Sequence, residues 1–282
     1  MPELPEVETI KRGLEPKLVG QKIEEIMVLR PKQLTNATPL QLCTELKGDT
    51  IDKLVRRGKY LLLFFIRNQV LVIHLRMTGQ LLYYPKEQES DSYTRLILTF
   101  DSGAQLHLRD VRALAKISLL RADEIPTWGP FVKLGPEPLT ATFTVEMLQH
   151  SLSKRRTAIK NALLGQKVVA GLGNIYADEA LFKAHINPLR PANTLTKSEV
   201  TSLHVAIKQV LADAITYGGT SFRDYVNASG VRGSNQERLL VYGRKGQPCY
   251  QCDTSLESCR LGGRSTVYCP KCQPLIRIAS EN

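Results

Sequence analysis

The chain has 282 residues, 43% of them hydrophobic, with a formal net charge of +11 and a pI near 9.4. That length supports two modest cores rather than one small module, and the basic balance favours an anionic polymer as partner, nucleic acid first. The start MPELPEVETIKRG carries Glu3, Glu6 and Glu8 and no long apolar stretch, which argues against a secretory or transit peptide. The longest apolar run, 60–66, is far below the roughly 20 residues of a membrane helix. A cytoplasmic protein with no membrane span is therefore expected.

The charge is uneven: residues 1–150 hold 20 Lys and Arg against 18 Asp and Glu, whereas residues 151–282 hold 18 against 9. An excess confined to one half points to phosphate contact more than to a general solubility device.

In chain order, Val7, Ile10, Leu14 and Leu18 repeat at helical spacing and predict a helix over 5–18 that stops at Gly20. Strand-like runs follow at 23–29, 50–56, 60–66, 70–75, 96–100, 105–109 and 116–120, separated by turns such as Asp101-Ser102-Gly103. That pattern predicts a β-sandwich. The segment 126–138, with Gly129, Pro130, Gly135 and Pro136, breaks every periodicity and sets a domain boundary between 131 and 132. Helices are expected at 144–152, 158–164, 174–184 and 197–217, the last with a capping box in Thr196 and Glu199 and a stop at Gly218-Gly219. Residues 220–238 have no period and read as a long functional loop, and 274–282 carry no pattern.

Cys249-x2-Cys252 and Cys269-x2-Cys272, sixteen residues apart, have the spacing of a four-thiolate zinc site. Gly246, Pro248, Gly262, Gly263 and Pro270 supply the turns its knuckles need. Cys43 and Cys259 remain as free structural thiols.

Removal of Met1 would expose the secondary amine of Pro2, which can form an iminium with a sugar aldehyde carbon; a proline at a helix start is the alternative. Glu3 and Glu6 suit a proton donor and a proton shuttle beside an amine, and equally suit a helix N-terminus. Lys59 begins an apolar strand, where it either forms a solvated strand end or reaches a backbone phosphate.

The ensemble is more specific. MPELPEVET at the start, GKYLL at 58–62, HLRMTGQL at 74–81, LGPEPL at 134–139, GLGNIYADEAL at 171–181, VYGRKGQPC at 241–249 and GGRSTVYCPKC at 262–272 resemble, in order, the formamidopyrimidine-DNA glycosylase family. The resemblance implies an α+β multidomain fold: an N-terminal β-sandwich flanked by helices (1–131), a helix–two-turn–helix domain (132–219), a lesion-capping loop (220–238) and a zinc finger (239–273), with DNA in the cleft between domains. It implies excision of oxidised purines (8-oxoguanine, formamidopyrimidines) through a Schiff base at Pro2, then β,δ-elimination at the abasic site. Glu3 is the implied principal proton donor, Lys59 the donor for the first elimination and Arg264 for the second. Phosphate contacts are implied for His74, Arg112, Arg156, Asn174 and Arg264. Asn174 also has a physical case, because it opens a helix whose N–H groups and dipole attract phosphate.

Flipping a base leaves a gap that apolar and cationic side chains fill, and Met77 and Arg112 match two of the family's three fillers. The third, a phenylalanine in the family, is Leu114 here. Tyr93 stands where members often have a histidine near the DNA, and 233–236 lacks the aromatics often found in the capping loop. The implied partner is double-stranded DNA holding an oxidised base or abasic site, met by a monomer with one structural Zn²⁺. Two rivals share parts of the pattern. The endonuclease VIII branch acts on pyrimidines and usually has glycine where this chain has Leu4; a non-enzymatic zinc-finger relative is opposed by Pro2, Glu3, Lys59 and Arg264.

Overall fold

The first helix, α1 (Leu4–Leu18), starts with Pro5 in its first turn, where a missing N–H leaves nothing unbonded. Its stripe of Leu4, Val7, Ile10, Leu14 and Leu18 is fully buried. The computed structural model describes residues 1–275; most of the pattern-free tail, 276–282, lies outside the described residues. The chain divides into two units. Met1–Val132 and Ile215–Gln236 form one, and Lys133–Ala214 with the residues from Glu237 onward form the other.

In the first unit the expected strands form as β1 (Ile23–Val28), β2 (Ile51–Arg57), β3 (Tyr60–Phe65), β4 (Gln69–His74), β6 (Thr94–Phe100), β7 (Gln105–Asp110) and β8 (Lys116–Arg121). With β5 (Gly79–Tyr84) they build two antiparallel four-stranded sheets, β1-β6-β7-β5 and β2-β3-β4-β8, whose inner residues share one core with Val7, Ile10, Leu14 and Leu18 of α1. Among the elements without a counterpart in the sequence pattern are a strand and a helix. Strand β5 (Gly79–Tyr84) begins at a glycine whose absent side chain lets the backbone turn close on itself, since a Cβ there would lie 2.5 Å from the Leu75 carbonyl oxygen. Helix α2 (Pro39–Leu46) buries only Leu42 and Leu46, too thin a stripe for periodicity to show. Beyond β8, a 3₁₀ turn at Ala122–Thr127 and the short α3 (Gly129–Val132) set Trp128 and Phe131 edge-on against Tyr60, with ring centroids 5.7 and 5.1 Å away.

The segment after the long helix is not a separate module. Tyr225 and Ala228 enter the core of the first unit, and Ala228 accepts a hydrogen bond from the Tyr83 N–H at 2.9 Å.

The second unit holds α4 (Val145–Ser153), α5 (Ile159–Leu164), α6 (Asn174–Lys183) and most of α7 (Lys197–Thr216), followed by the β9 (Glu257–Leu261) and β10 (Arg264–Tyr268) hairpin. The capping box of α7 forms: Glu199 N–H donates to Thr196 Oγ1 and Thr196 N–H to Glu199 Oε2. No helix among the described residues is long and apolar enough to cross a membrane.

Candidate active site and nucleic-acid interface

Glu3 precedes α1 as its N-cap, and Pro2, Glu3 and Glu6 are all buried although Met1 is exposed. Glu6 serves two segments at once. Its Oε2 accepts from the Glu3 N–H at 2.7 Å and its Oε1 from the Thr220 N–H at 2.8 Å, fastening the chain start to the 215–236 segment. That approach needs Gly219, at φ +83°, because a Cβ there would sit 3.0 Å from Glu6 Oε1 and 2.9 Å from the Tyr225 ring. Tyr225 OH donates to the Gly218 carbonyl at 3.0 Å and completes the clasp.

Lys59 is not a solvated strand end. With Gly58 it forms the two-residue turn between β2 and β3, where Arg57 pairs with Tyr60, and only 7% of its surface is exposed. Gly58 takes φ +55° at the first turn position, which twists the hairpin correctly only with a glycine there. The turn is tied to α1 by Arg56, whose Nε meets Glu8 at 2.8 Å while its Nη1 donates to the Gly58 carbonyl at 3.1 Å. Burial pushes the Glu8 carboxyl up, but its bonds to Arg56 and Arg12 prevail and hold it below the usual range.

His74 ends β4, buried, with its ring 4.5 Å from that of Tyr60. Burial, then the charges of Arg76 and Lys59, push its pKa down to about 3, so the imidazole is neutral at working pH. Nδ1 accepts the Arg76 N–H at 3.0 Å, which leaves the proton on Nε2 as a donor. The ring borders a cavity of about 330 Å³ that Trp128 and Lys116 also line.

Met77 is 45% and Leu114 37% exposed, so neither packs in the core. They occupy the β4–β5 and β7–β8 turns with Arg112, whose Nη1 lies 3.4 Å from Met77 Sδ. Tyr93, 40% exposed, lies under the Arg109 guanidinium at 5.0 Å. Residues 233–236 lack aromatics, as read from the sequence, yet the same segment presents Phe222, 48% exposed.

In the second unit, Arg156 is exposed between α4 and α5, and Arg264 is exposed where β10 leaves the Gly262-Gly263 turn. Asn174 is the first residue of α6, and its Nδ2 donates to the Ser265 carbonyl at 2.9 Å, beside Arg264. The hairpin is mounted on buried charge. Lys160 Nζ meets Asp178 at 2.6 Å and donates to the Ser265 carbonyl and Thr266 Oγ1, while the other Asp178 oxygen accepts the Val267 N–H. Glu179 accepts three successive backbone N–H groups, those of Leu240, Val241 and Tyr242. Its burial pushes that carboxyl up against their pull.

The sulfurs of Cys249, Cys252, Cys269 and Cys272 all lie within 4.8 Å of one another, with Cys249 and Cys272 at 3.9 Å and Cys252 and Cys269 at 3.5 Å. A tetrahedron with Zn–S bonds of about 2.3 Å has edges of about 3.8 Å, so the four thiolates fit one structural Zn²⁺ with no open ligand position. N–H groups of Gln251 and Cys272 point at Cys249 and Cys269 sulfurs, both at 3.4 Å, as ligand thiolates require. Sequence reasoning missed Thr78, Asp110, Lys160, Asp178 and Glu179. Thr78, Asp178 and Glu179 stand inside the motifs quoted above and Asp110 two positions before Arg112, but a buried polar role has no periodicity to betray it.

Residues 1–117 match the Formamidopyrimidine-DNA glycosylase N-terminal domain, 134–226 the H2TH domain of the same glycosylase, and 246–275 the zinc finger found in FPG and IleRS. A β-sandwich with a buried chain start, an H2TH domain and a four-thiolate finger define a DNA glycosylase. A Formamidopyrimidine-DNA glycosylase of Desulfitobacterium hafniense is 45% identical, covering 97% of this chain and 100% of its own, and one of Bacillus cereus is 43% identical over 98% and 100%. Among solved structures, a Lactococcus lactis FPG mutant in complex with a Fapy-dG containing DNA superposes with a TM-score of 0.91 at 38% identity, covering 97% of this chain and 100% of that one. The MutM (FPG) protein of Thermus thermophilus gives 0.87 at 37%, covering 96% and 98%. The chain belongs to the formamidopyrimidine-DNA glycosylase family.

Proposed function

We propose that this enzyme, a base-excision-repair glycosylase and abasic-site lyase for oxidised purines, works through the α-amine of Pro2 once Met1 is removed, in the cytoplasm. The observation that carries the reading is the chain start itself: a buried proline beside a buried carboxyl, with Glu6 clasping that start to the 215–236 segment. An α-amine titrates at about 7.7–8.0 in ordinary chains, so a neutral fraction exists near pH 7.

The Pro2 nitrogen lone pair attacks C1′ of a flipped nucleotide as the N-glycosidic bond breaks, the purine leaves with its electron pair and takes up a proton, and the attacking nitrogen gives up its own N–H proton, so no net charge is left behind. Glu3 protonates the ring oxygen as the sugar opens to the iminium, and Glu6 relays protons between that site and solvent. A C2′ proton then passes to solvent as the C3′–O bond breaks and the 3′ phosphate leaves, with Lys59 as donor; loss of the C4′ proton, with Arg264 as donor, breaks the C5′–O bond and expels the 5′ phosphate, and water hydrolyses the remaining iminium to free the Pro2 amine. Nothing in this sequence needs a metal, in keeping with a closed structural zinc site. His74 Nε2–H, Arg112, Arg156, Arg264 and the N-terminus of α6 at Asn174 hold phosphates, while Met77, Arg112 and Leu114 fill the vacated stack beside Tyr93.

A protein carrying one residue before Pro2, verified by mass spectrometry, should neither excise 8-oxoguanine nor form a covalent complex with DNA under borohydride, since an amide nitrogen has no available lone pair. Covalent trapping by the extended protein overturns the assignment.

A further inference from the structure

The turns that carry Met77, Arg112 and Leu114 are strained and are not held by burying these side chains. Arg76 takes φ +55° in one and Ala113 φ +51° in the other, backbone that persists in non-glycine residues only where the surroundings enforce it. Met77, Val111 and Leu114 are all substantially exposed, and the two turns give the core only Leu75 and Ala115.

What joins them is Asp110, the last residue of β7, fully buried. Its Oδ1 accepts the Thr78 hydroxyl at 2.5 Å, and its Oδ2 accepts the Ala115 N–H at 2.7 Å and Gln33 Nε2 at 3.0 Å. The same Thr78 Oγ1 accepts the Arg112 N–H at 3.2 Å, so a single hydroxyl links the two turns. The backbone of Asp110 extends the hub: its N–H donates to the Tyr93 carbonyl at 2.9 Å, and its carbonyl accepts from Ala113 N–H and Arg95 Nε.

We propose that Asp110 and Thr78 are positioning residues that hold Met77, Arg112 and Leu114 assembled before DNA arrives. Base extrusion then does not have to order two loops while it unstacks the duplex. The proposal rests on the reading of these three side chains as gap fillers. It extends that reading to a polar pair that is itself buried.

Thr78→Val keeps the shape of the side chain and removes the linking hydroxyl. In the full-length, zinc-loaded protein we expect single-turnover excision of 8-oxoguanine opposite cytosine to fall about tenfold, as for one lost buried hydrogen bond. Cleavage at a preformed abasic site should change no more than about twofold. The fluorescence rise of a 2-aminopurine beside the lesion, which follows insertion, should slow with excision, and Thr78→Ser should restore both. Wild-type insertion and excision in Thr78→Val, or an equal loss on both substrates, overturns the proposal. Met77→Ala, run in parallel, separates the two ideas. If it slows insertion while Thr78→Val does not, only the positioning role fails; if Met77→Ala also leaves insertion unchanged, the gap-filler reading itself fails.

Discussion

The two units present functional groups in opposite ways. In the first, Pro2, Glu3, Glu6, Lys59 and His74 are buried and held by backbone N–H groups, an ion pair and aromatic edges. In the second, Arg156 and Arg264 are exposed, while the groups that mount the finger hairpin beside them, Lys160, Asp178 and Glu179, are buried. Under the proposed mechanism the contrast has a physical reason. Covalent chemistry gains from a desolvated setting that tunes proton affinities, whereas exposed arginines meet phosphate as hydrated cations on a rigid mount. Substitutions in the first unit should therefore change rates and protonation, and those in the second should change affinity.

The largest test of the second half of that contrast is Cys269→Ser. Removing one of four thiolates should release the zinc, and with it most DNA affinity, because metal binding is the folding energy of a finger this small. Metal analysis with a gel-shift titration checks both at once, and undiminished zinc in the variant refutes the site.

For the first unit, His74 supplies a pH signature. Its folded pKa is depressed from 6.5 to about 3, so below about pH 6.5 the unfolded chain takes up a proton that the folded chain refuses. Stability should fall as pH drops from 6.5 toward 3, by up to about 4 kcal/mol, with no contribution from His74 above that window. Urea denaturation across pH should show the loss, and His74→Gln should flatten it. An imidazole titrating near 6.5 by NMR removes the basis for a neutral Nε2 donor.

Leu114→Phe adds a π-face to the gap, and base–aromatic stacking is worth about 1–3 kcal/mol. Excision of 8-oxoguanine paired with cytosine should quicken, with little change at abasic sites whose unstacking cost is already low. If the rate and the opposite-base preference stay at wild type, Leu114 does not enter the stack. The smallest effect is expected at Arg156→Ala: the log–log salt dependence of binding should lose about 0.9 in slope, with lesion preference intact. A shift of preference at constant slope would reverse the division of labour between the units.

Much of this was legible beforehand. The periods of α1 and of seven strands, the capping box of α7 and the four-cysteine spacing are local signals, written within a few residues of where they act. The motif order carried the family. What the sequence left open depends on partners far along the chain: Gln33 to Asp110 across 77 positions, Lys160 to Thr266 across 106, Glu6 to Thr220 across 214. Local pattern names the residue types available for burial, and only the folded chain decides which polar groups lose water and what replaces it. That is why Lys59 reads as a solvated strand end yet is buried, and why His74 is neutral. It is also why Asp110, a lone acid at a strand end in the sequence, holds together the turns of Met77, Arg112 and Leu114.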